Sequence, residues 1–163
     1  MIENMKNTDT PKGFTLVELM IVLALITIIT SISIPAWQHY RINTNLRTAS
    51  REIMADIINT KQRTISEKKP TSYSITFDKD NNSYSLSRTD TSGTVTLWTK
   101  SPASSGTGII IQNVDFSGGS VINFQRRGTV TFGTITLKNS INSTAAVTTQ
   151  ITGRAYVQYN LQK

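Results

Sequence analysis

The chain has 163 residues, and its 17 Lys and Arg outnumber its 10 Asp and Glu, which gives a formal net charge of +7. It contains no cysteine, which excludes a disulfide framework, thiolate catalysis and cysteine-based metal sites. About 130 residues follow the apolar segment near the N-terminus, enough for one compact domain and no more.

The N-terminal apolar segment carries a single charge. Residues 14–34 form a run of 21 residues without Gly, Pro, Lys, Arg or Asp, and Glu18 is the only ionisable side chain in it. As a helix the run would cover roughly 30 Å, the thickness of a bilayer's hydrocarbon core. An unpaired carboxylate there would cost roughly 3 kcal/mol, so Glu18 needs a cationic partner. Cleavage between Gly13 and Phe14 would supply one, because the new α-amino group would lie four residues before Glu18.

A cleaved secretory signal or a plain signal anchor is the alternative interpretation of this segment. The run is longer than the apolar region of about 7 to 15 residues in a secretory signal, and no small-x-small cleavage site precedes an obvious mature start. Its second half is mildly polar, with Thr27, Thr30, Ser31 and Ser33. That composition favours a segment that leaves the bilayer to pack inside a protein filament.

The run Gly13-Phe14-Thr15-Leu16-Val17-Glu18, followed by the apolar residues and Pro35, resembles the class III signal of type IV pilins and type II secretion pseudopilins. The resemblance implies that a prepilin peptidase cuts after Gly13 and that the new N-terminal Phe14 is N-methylated. It also implies that Glu18 neutralises the amine of a neighbouring subunit during filament assembly. Pro35 falls where many such proteins carry a helix-bending proline.

The same resemblance implies a domain organisation and a location. Residues 1–13 would be the cleaved leader, 14–66 a long helix that crosses the membrane over about 14–34, and 67–163 a β-rich domain. The mature protein would keep its net charge of +7, because the leader holds two basic and two acidic residues. It would be a single-pass inner-membrane protein with its bulk in the periplasm. Its partners would be the prepilin peptidase, membrane lipid before assembly, and other pilin or pseudopilin subunits. No cofactor is implied.

The apolar pattern after Pro35 predicts that the helix continues. Apolar residues recur in steps of 4, 3, 4 and 4 and would form one stripe, which consists of Ile42, Leu46, Ala49, Ile53 and Ile57. No Gly or other Pro interrupts before Pro70, so we expect a helix from about Thr15 to about Ser66 that Pro35 bends or locally melts. The basic residues off the stripe would be a solvated face or would meet acidic groups of neighbouring subunits; they are Arg41, Arg47, Arg51, Lys61 and Arg63.

From residue 71 the hydrophobic period becomes two, which predicts short, half-buried antiparallel strands. The alternating positions are Tyr73, Ile75 and Phe77, then Tyr84 and Leu86, then Val95 and Leu97, then Ile135 and Leu137, and finally Tyr156, Val157 and Tyr159. Turns are expected at 80–82 and 92–93, and a Ser, Gly and Pro loop at 101–108.

A second resemblance concerns the C-terminal half. Two segments resemble the C-terminal domain of the GspH/FimT family: residues 121–130, with the sequence Val-Ile-Asn-Phe-Gln-Arg-Arg-Gly-Thr-Val, and the Gly-Thr-Ile-Thr-Leu run at 133–137. Gly153-Arg154 resembles the closing Gly-Arg strand of that family. The family implies a β-sandwich of two antiparallel sheets packed on the helix. The expected fold class is therefore α+β, with a long N-terminal helix, membrane-spanning in its first half, on a C-terminal antiparallel β-sandwich. The expected function is that of a minor pilin or pseudopilin; a major structural pilin, which would dominate sheared filaments, is an alternative.

DNA binding is a further alternative. Residues 109–163 hold one acidic residue, Asp115, against five basic ones, which are Arg126, Arg127, Lys138, Arg154 and Lys163. Such a face would contact phosphates, and Tyr156 and Tyr159 would stack on bases. Some FimT-type minor pilins bind DNA during transformation through a Gly-Arg-x-Arg motif, and the matching residues 153–156 lack its second Arg. Arg126 and Arg127 would compensate if their turn lies beside Arg154.

Catalytic and metal-binding patterns are weak. The single histidine, His39, lies just beyond the predicted membrane segment, where an interfacial ring is its ordinary role. A cation could bind to four neighbouring polar residues, which are Asp78, Asp80, Asn81 and Asn82. Their spacing does not match the twelve-residue Ca²⁺ loop, so we interpret them as turn residues. The sequence contains no phosphate-binding Gly loop, nucleophile elbow or zinc signature. We therefore expect no enzyme activity, no catalytic residue and no metal.

Overall fold

A single long helix, α1, runs from Leu16 to Ser66 in the computed structural model, which describes residues 13–67 and 71–162 apart from the side chains of 32–36. These bounds agree with the predicted helix. The helix is continuous through position 35, so the backbone does not melt there; the Pro35 side chain lies outside the described residues. Most of the predicted leader, residues 1–12, also lies outside them.

The chain divides into two compact units, of which the first ends at Gln38 and the second is His39–Lys163. In the first unit the described large apolar side chains of α1 are exposed, from Leu16 at 74% to Ile29 at 64%. Within the described part of the chain, no helical stretch meets the length and apolarity needed to cross a membrane. Residues 32–34 of the predicted span are among those whose side chains are not described.

The second half of α1 packs into the core of the second unit. Four of the five residues of the predicted stripe are buried, and they are Leu46, Ala49, Ile53 and Ile57. Ile42, at the start of the stripe, is only partly buried. Spacings of three and four residues keep these side chains on one side of the helix, so the amphipathic pattern alone directs this face inward.

Eight strands follow the helix in the described residues. They are β1 (Ser72–Asp78), β2 (Ser83–Asp90), β3 (Gly93–Lys100), β4 (Ile110–Phe116), β5 (Val121–Phe124), β6 (Gly133–Lys138), β7 (Thr144–Thr149) and β8 (Ala155–Asn160). They form two four-stranded antiparallel sheets, in the orders β3-β2-β1-β5 and β4-β6-β7-β8. The expected α+β class with two antiparallel sheets is therefore confirmed. A short 3-10 turn, Pro102–Ser105, lies in the predicted loop.

Both sheets and the helix contribute to one core. Buried residues come from α1, from β1, β2 and β5 of the first sheet, and from β4, β6 and β7 of the second. Phe77 of β1 stacks on Tyr84 of β2 and on Phe116 of β4, with ring centroids 5.8 and 5.7 Å apart. Because Phe116 belongs to the second sheet, this aromatic group joins the two sheets at one end.

Strand β3 departs from the prediction. Val95 and Leu97 were expected to be half-buried, but they are 62% and 40% exposed. The strand lies at the edge of its sheet, and a register shift between Leu86 and Ser87 places Trp98 opposite Leu86. Trp98, rather than Leu97, therefore packs against the core.

The last strand is attached to the helix at both ends. Near its C-terminal end, Asn43 Nδ2 donates to the Gln162 carbonyl at 2.9 Å. Near its N-terminal end, Lys61 Nζ donates to the carbonyls of Thr152 and Gly153 at 3.0 and 3.3 Å. The lengths match, since the helix from residue 43 to 61 covers about 27 Å and an extended chain from 153 to 162 about 30 Å.

Candidate functional site

Three of the predicted processing and assembly residues, Gly13, Phe14 and Glu18, lie at the start of α1. Gly13 and Phe14 precede the helix, and Phe14 is 86% exposed. Thr15 is the residue before the first turn, and its Oγ1 accepts a hydrogen bond from the Glu18 N–H at 3.2 Å. Glu18 therefore stands in the first turn, where a carboxylate is favoured by the helix dipole.

The capping role of this pair is a feature that sequence reasoning missed. Thr15 and Glu18 have the Thr-x-x-Glu spacing of a capping box, in which the hydroxyl accepts the third N–H of the helix. That signal was present in the sequence. It gives Thr15 a structural role that is independent of any charge on Glu18.

The predicted DNA-binding arginines lie in two hairpin turns of the same geometry. The first arginine turn is residues 125–129, where Gln125 N–H donates to Thr129 O at 2.9 Å and Gly128 N–H donates to Gln125 O at 2.8 Å. The second arginine turn is residues 150–154, where the matching bonds run from Gln150 to Arg154 and from Gly153 to Gln150, both at 2.8 Å. Gly128 and Gly153 have φ of 85° and 74°, a conformation that favours glycine.

The two arginine turns touch each other. Val130 N–H donates to Ile151 O at 3.2 Å, and a Cβ on Gly153 would lie 2.6 Å from the Gly128 carbonyl oxygen. Lys61 holds the second turn from the helix, as described above. The turn that carries Arg126 and Arg127 therefore lies beside the turn that carries Arg154, which is the arrangement that compensation for the missing motif arginine requires. Arg126 donates to the Glu67 carbonyl at 3.0 Å, and all three arginines are exposed.

Lys138 does not join this group. It pairs with Thr144 at one end of β6, whereas Gly133, at the other end, pairs with Thr149 beside the second arginine turn. Five residues of extended strand separate the two ends by about 17 Å. Lys138 is therefore remote from the arginines with which the sequence grouped it.

The two tyrosines of β8 point to opposite faces of their sheet. Tyr156 is 41% exposed. Tyr159, three residues later, packs against the helix, where its hydroxyl accepts a hydrogen bond from Ser50 Oγ at 3.2 Å and Arg47 lies 5.5 Å from its ring centroid. Side chains alternate along a strand, so residues at an odd separation cannot share a face. The expectation that both would stack on bases is wrong for Tyr159.

The turn at 80–82 has internal partners for its polar side chains. Asp78 Oδ1 accepts the N–H groups of Asp80 and Asn81, both at 3.0 Å, and Oδ2 accepts Asn81 Nδ2 at 2.6 Å. The hydrogen bond from the Asn81 backbone holds the pKa of Asp78 below its usual value. Asn82 adopts a φ of 47°, and its side-chain amide binds the backbone of Ile109 and Ile111 at the start of β4. Among the described residues, no three His, Cys, Asp or Glu are grouped to hold a metal, and His39 is exposed.

An ionic cluster that the sequence did not predict joins the helix to the first sheet. Lys100 Nζ lies 2.9 Å from Asp56 Oδ2 and 3.2 Å from Glu52 Oε1, and the Tyr84 hydroxyl donates to Asp56 at 2.9 Å. Burial, followed by the hydrogen bond to Asp56, raises the pKa of Tyr84 far above its usual value. Burial lowers the pKa of Lys100, but hydrogen bonds to Asp56 and Glu52 outweigh it and the net shift is upward. Both groups keep their protons at neutral pH, which fits a structural cluster rather than proton transfer.

Comparison with known proteins gives a match to a family model near the start of the chain. Residues 10–34 match the prokaryotic N-terminal methylation motif. A fimbrial protein of Pseudomonas aeruginosa is 50% identical over 44 residues, which are 27% of this chain and 29% of the fimbrial protein. The chain therefore matches less than a third of the length of that curated relative.

The fold is similar to that of a solved protein. Two structures of the minor pseudopilin EpsH from the type II secretion system of Vibrio cholerae each match with a TM-score of 0.58 and cover 70% of this chain. The match covers 96% and 93% of the two EpsH chains, and the sequence identity is 10% and 11%. At that identity the likeness concerns the fold alone. Together, the methylation motif and the fold support the pilin and pseudopilin superfamily, as the sequence predicted.

Proposed function

We propose that this protein is a minor pilin or pseudopilin, which a prepilin peptidase processes and which then joins, or primes, a type IV pilus or type II secretion filament. The observation that carries the proposal is the combination of an N-terminal methylation motif with the fold of a minor pseudopilin in one chain. Residues 1–13 are the leader, 14–66 the filament helix, and 67–163 the domain that meets partners. The protein is stored in the inner membrane, with its bulk in the periplasm, before assembly.

Each N-terminal residue has one task in this proposal. Cleavage after Gly13 frees the amine of Phe14, which is then methylated. Glu18 of one subunit pairs with the Phe14 amine of a neighbour, so a charge that is costly in the membrane becomes favourable in the filament. Thr15 keeps the helix start ordered next to this pair.

Intact mass spectrometry of protein purified from cells with a prepilin peptidase tests the processing step. We expect loss of Met1 to Gly13 and one methyl group on the Phe14 amine. Gly13→Val should retain the leader, and a folding defect would not explain that result, because no described atom lies within 4 Å of a Cβ at Gly13. A parent protein that assembles with its leader intact would contradict the proposal.

A second candidate function is DNA binding by the paired arginine turns. The contact between the two turns favours it, because the turn that carries Arg126 and Arg127 lies beside the turn that carries Arg154. The Gly-Arg-x-Arg motif remains incomplete, with Tyr156 in place of its second arginine.

Duplex DNA binding by a fragment that begins at Gln38, at several salt concentrations, tests this candidate. Phosphate contacts release counterions, so the affinity should fall steeply as salt rises. Replacing Arg126, Arg127 and Arg154 together by alanine should flatten that dependence, and Lys138→Ala at the far end of β6 is the matched control. Tyr156→Arg should raise the affinity. Weak binding that the triple replacement leaves unchanged would eliminate the candidate.

A further inference from the structure

A cleft beside the arginine turns exposes two large apolar side chains. Phe132 is 55% exposed and Ile151 is 60% exposed, and both line a cleft of about 410 Å³ together with Arg127 and Gln125. Exposed side chains of this size are usually scattered singly over a soluble surface, whereas neighbouring ones mark interaction sites.

The segment that carries Phe132 is held in place on several sides. Thr131 N–H donates to Asn123 O at 3.1 Å, and the Thr131 carbonyl accepts Thr149 Oγ1 at 2.8 Å. The Phe132 carbonyl accepts Ser117 N–H at 3.1 Å. Phe132 is therefore displayed from a fixed backbone, and a partner would not have to order a loop in order to bind it.

The charge of the cleft determines what can occupy it. None of the described residues that line it is acidic, Arg127 is one of them, and Arg126 and Arg154 stand in the two adjoining turns. Aromatic and arginine side chains together are the usual centres of binding energy in protein interfaces. Of the two exposed apolar side chains only Phe132 offers a ring face on which a base could stack, and a single such ring favours a protein partner over nucleic acid.

A second copy of this chain is a poor occupant. The mature chain carries +7, and five of its eight acidic side chains bind partners within the fold, among them Glu67, which accepts the Tyr73 hydroxyl. Asp56 and Glu52 bind Lys100, Asp90 binds Arg88, and Asp78 closes its own turn. A copy would therefore bring further positive charge to a cleft that is already basic.

We propose that this cleft docks an acidic segment with a large apolar side chain from a different subunit of the filament. The apolar side chain packs between Phe132 and Ile151, and a carboxylate of the segment pairs with Arg127. The inference rests on the proposed function, since it names the chemistry of the subunit that this one meets.

Site-specific cross-linking in cells that assemble the filament tests the occupant. A photoreactive benzophenone side chain is placed at position 132 of the full chain, and at position 156 as an exposed control. We expect position 132 to cross-link to another filament subunit within a segment that contains Asp or Glu beside a large apolar residue. We also expect Arg127→Glu to abolish that product. Cross-links to DNA, to lipid, to a second copy or to a basic segment would overturn the proposal, as would an equal yield of the same product from position 156.

Incorporation into sheared filaments separates the docking site from the function itself. Phe132→Ser and Arg127→Glu should each reduce incorporation about tenfold or more, while Lys138→Glu should have little effect. All three side chains are at least partly exposed, and circular dichroism checks that each variant stays folded. If the parent is incorporated and both cleft variants match it, the docking site is wrong and the proposed function stands. If the processed parent never enters filaments, both the docking site and the proposed function are wrong.

Discussion

Thr15 and Glu18 show how one pair of residues can serve both structure and assembly. The Thr15 hydroxyl satisfies the Glu18 N–H, which would otherwise lack a partner within the helix. The Glu18 carboxylate is not needed for that bond, because the donor belongs to the backbone. The two roles can therefore be separated by substitution.

Glu18→Gln should leave the helix start intact and reduce entry into filaments by about tenfold or more. Glutamine can replace glutamate in a capping box, so the substitution removes the charge alone. Membrane insertion should be unchanged or improved, since a costly charge is lost. Quantitative blots of membrane and sheared-filament fractions make the measurement.

Thr15→Ala is the control for that experiment. It should destabilise the first turn by about 1 kcal/mol while retaining the carboxylate. If it prevents assembly as strongly as Glu18→Gln does, or if Glu18→Gln assembles normally, the charge-pairing role is wrong.

The cluster around Asp56 predicts a loss of stability at high pH. Unfolded tyrosine and lysine titrate near their usual pKa values of 10.0 and 10.5, and the folded pKa values of Tyr84 and Lys100 are higher. Above about pH 10 the folded state thus holds protons that the unfolded state has released, so the stabilisation present below that pH is lost as pH rises. Urea unfolding at about pH 8 and about pH 11 measures the fall.

Tyr84→Phe should make that fall less steep, at a cost of about 1 kcal/mol near neutral pH from the lost hydrogen bond. Tyr156→Phe, on the exposed face of β8, is the matched control and should follow the parent. If the Tyr84→Phe protein loses as much stability at high pH as the parent does, the ionisation of Tyr84 does not cause the loss.

At the scale of elements, the helix and the edge strand give opposite expectations for the same kind of change. Ile53→Ala on the buried side of α1 should lower the free energy of unfolding by about 2 to 5 kcal/mol, because it leaves a cavity between the helix and the sheets. Val95→Ala on exposed β3 should change it by less than about 0.5 kcal/mol. Urea unfolding followed by circular dichroism compares them, and equal effects would contradict the burial pattern.

The helix could be predicted because its signal is long and uninterrupted. A stripe over five residues with no glycine or proline after Pro35 leaves little choice of structure, and the bounds agree to about one residue. Alternation also located β1, β2 and β6, and the less regular apolar positions at 156–159 located β8. The alternating pattern could not predict how much of β3 is buried, because a strand at the edge of a sheet can alternate while the side chains on its face stay exposed to solvent.

Two strands gave no usable signal in the sequence. In β4 the register shifts between Ile111 and Asn113, so its inward positions do not alternate regularly. In β7 the inward positions are Ala145, Val147 and Thr149, which are small or polar and give little contrast with their neighbours. The contact between the arginine turns was likewise beyond prediction, since it joins residues about 25 positions apart through tertiary packing alone.

At the scale of the whole molecule, the distribution of charge predicts weak self-association. In the described part of the chain, the salt bridges use only Arg88 and Lys100 as cations, and most other basic side chains face solvent. Copies of the mature chain should repel one another, so self-association should be least at low salt and rise as salt screens the charge. Sedimentation of the full chain in detergent measures this, and strong dimerisation at low salt would favour a major structural subunit instead.

The attachment of β8 to the helix at both ends has a mechanical consequence. A pull along the helix would reach the Asn43 bond and the Lys61 bonds together, because helix and strand lie side by side over the same length. The domain would then resist force in shear, with the load shared between two anchors, rather than peel open from its last strand. In a pulling experiment, losing either anchor through Asn43→Ala or Lys61→Ala should lower the rupture force more than Lys138→Ala does.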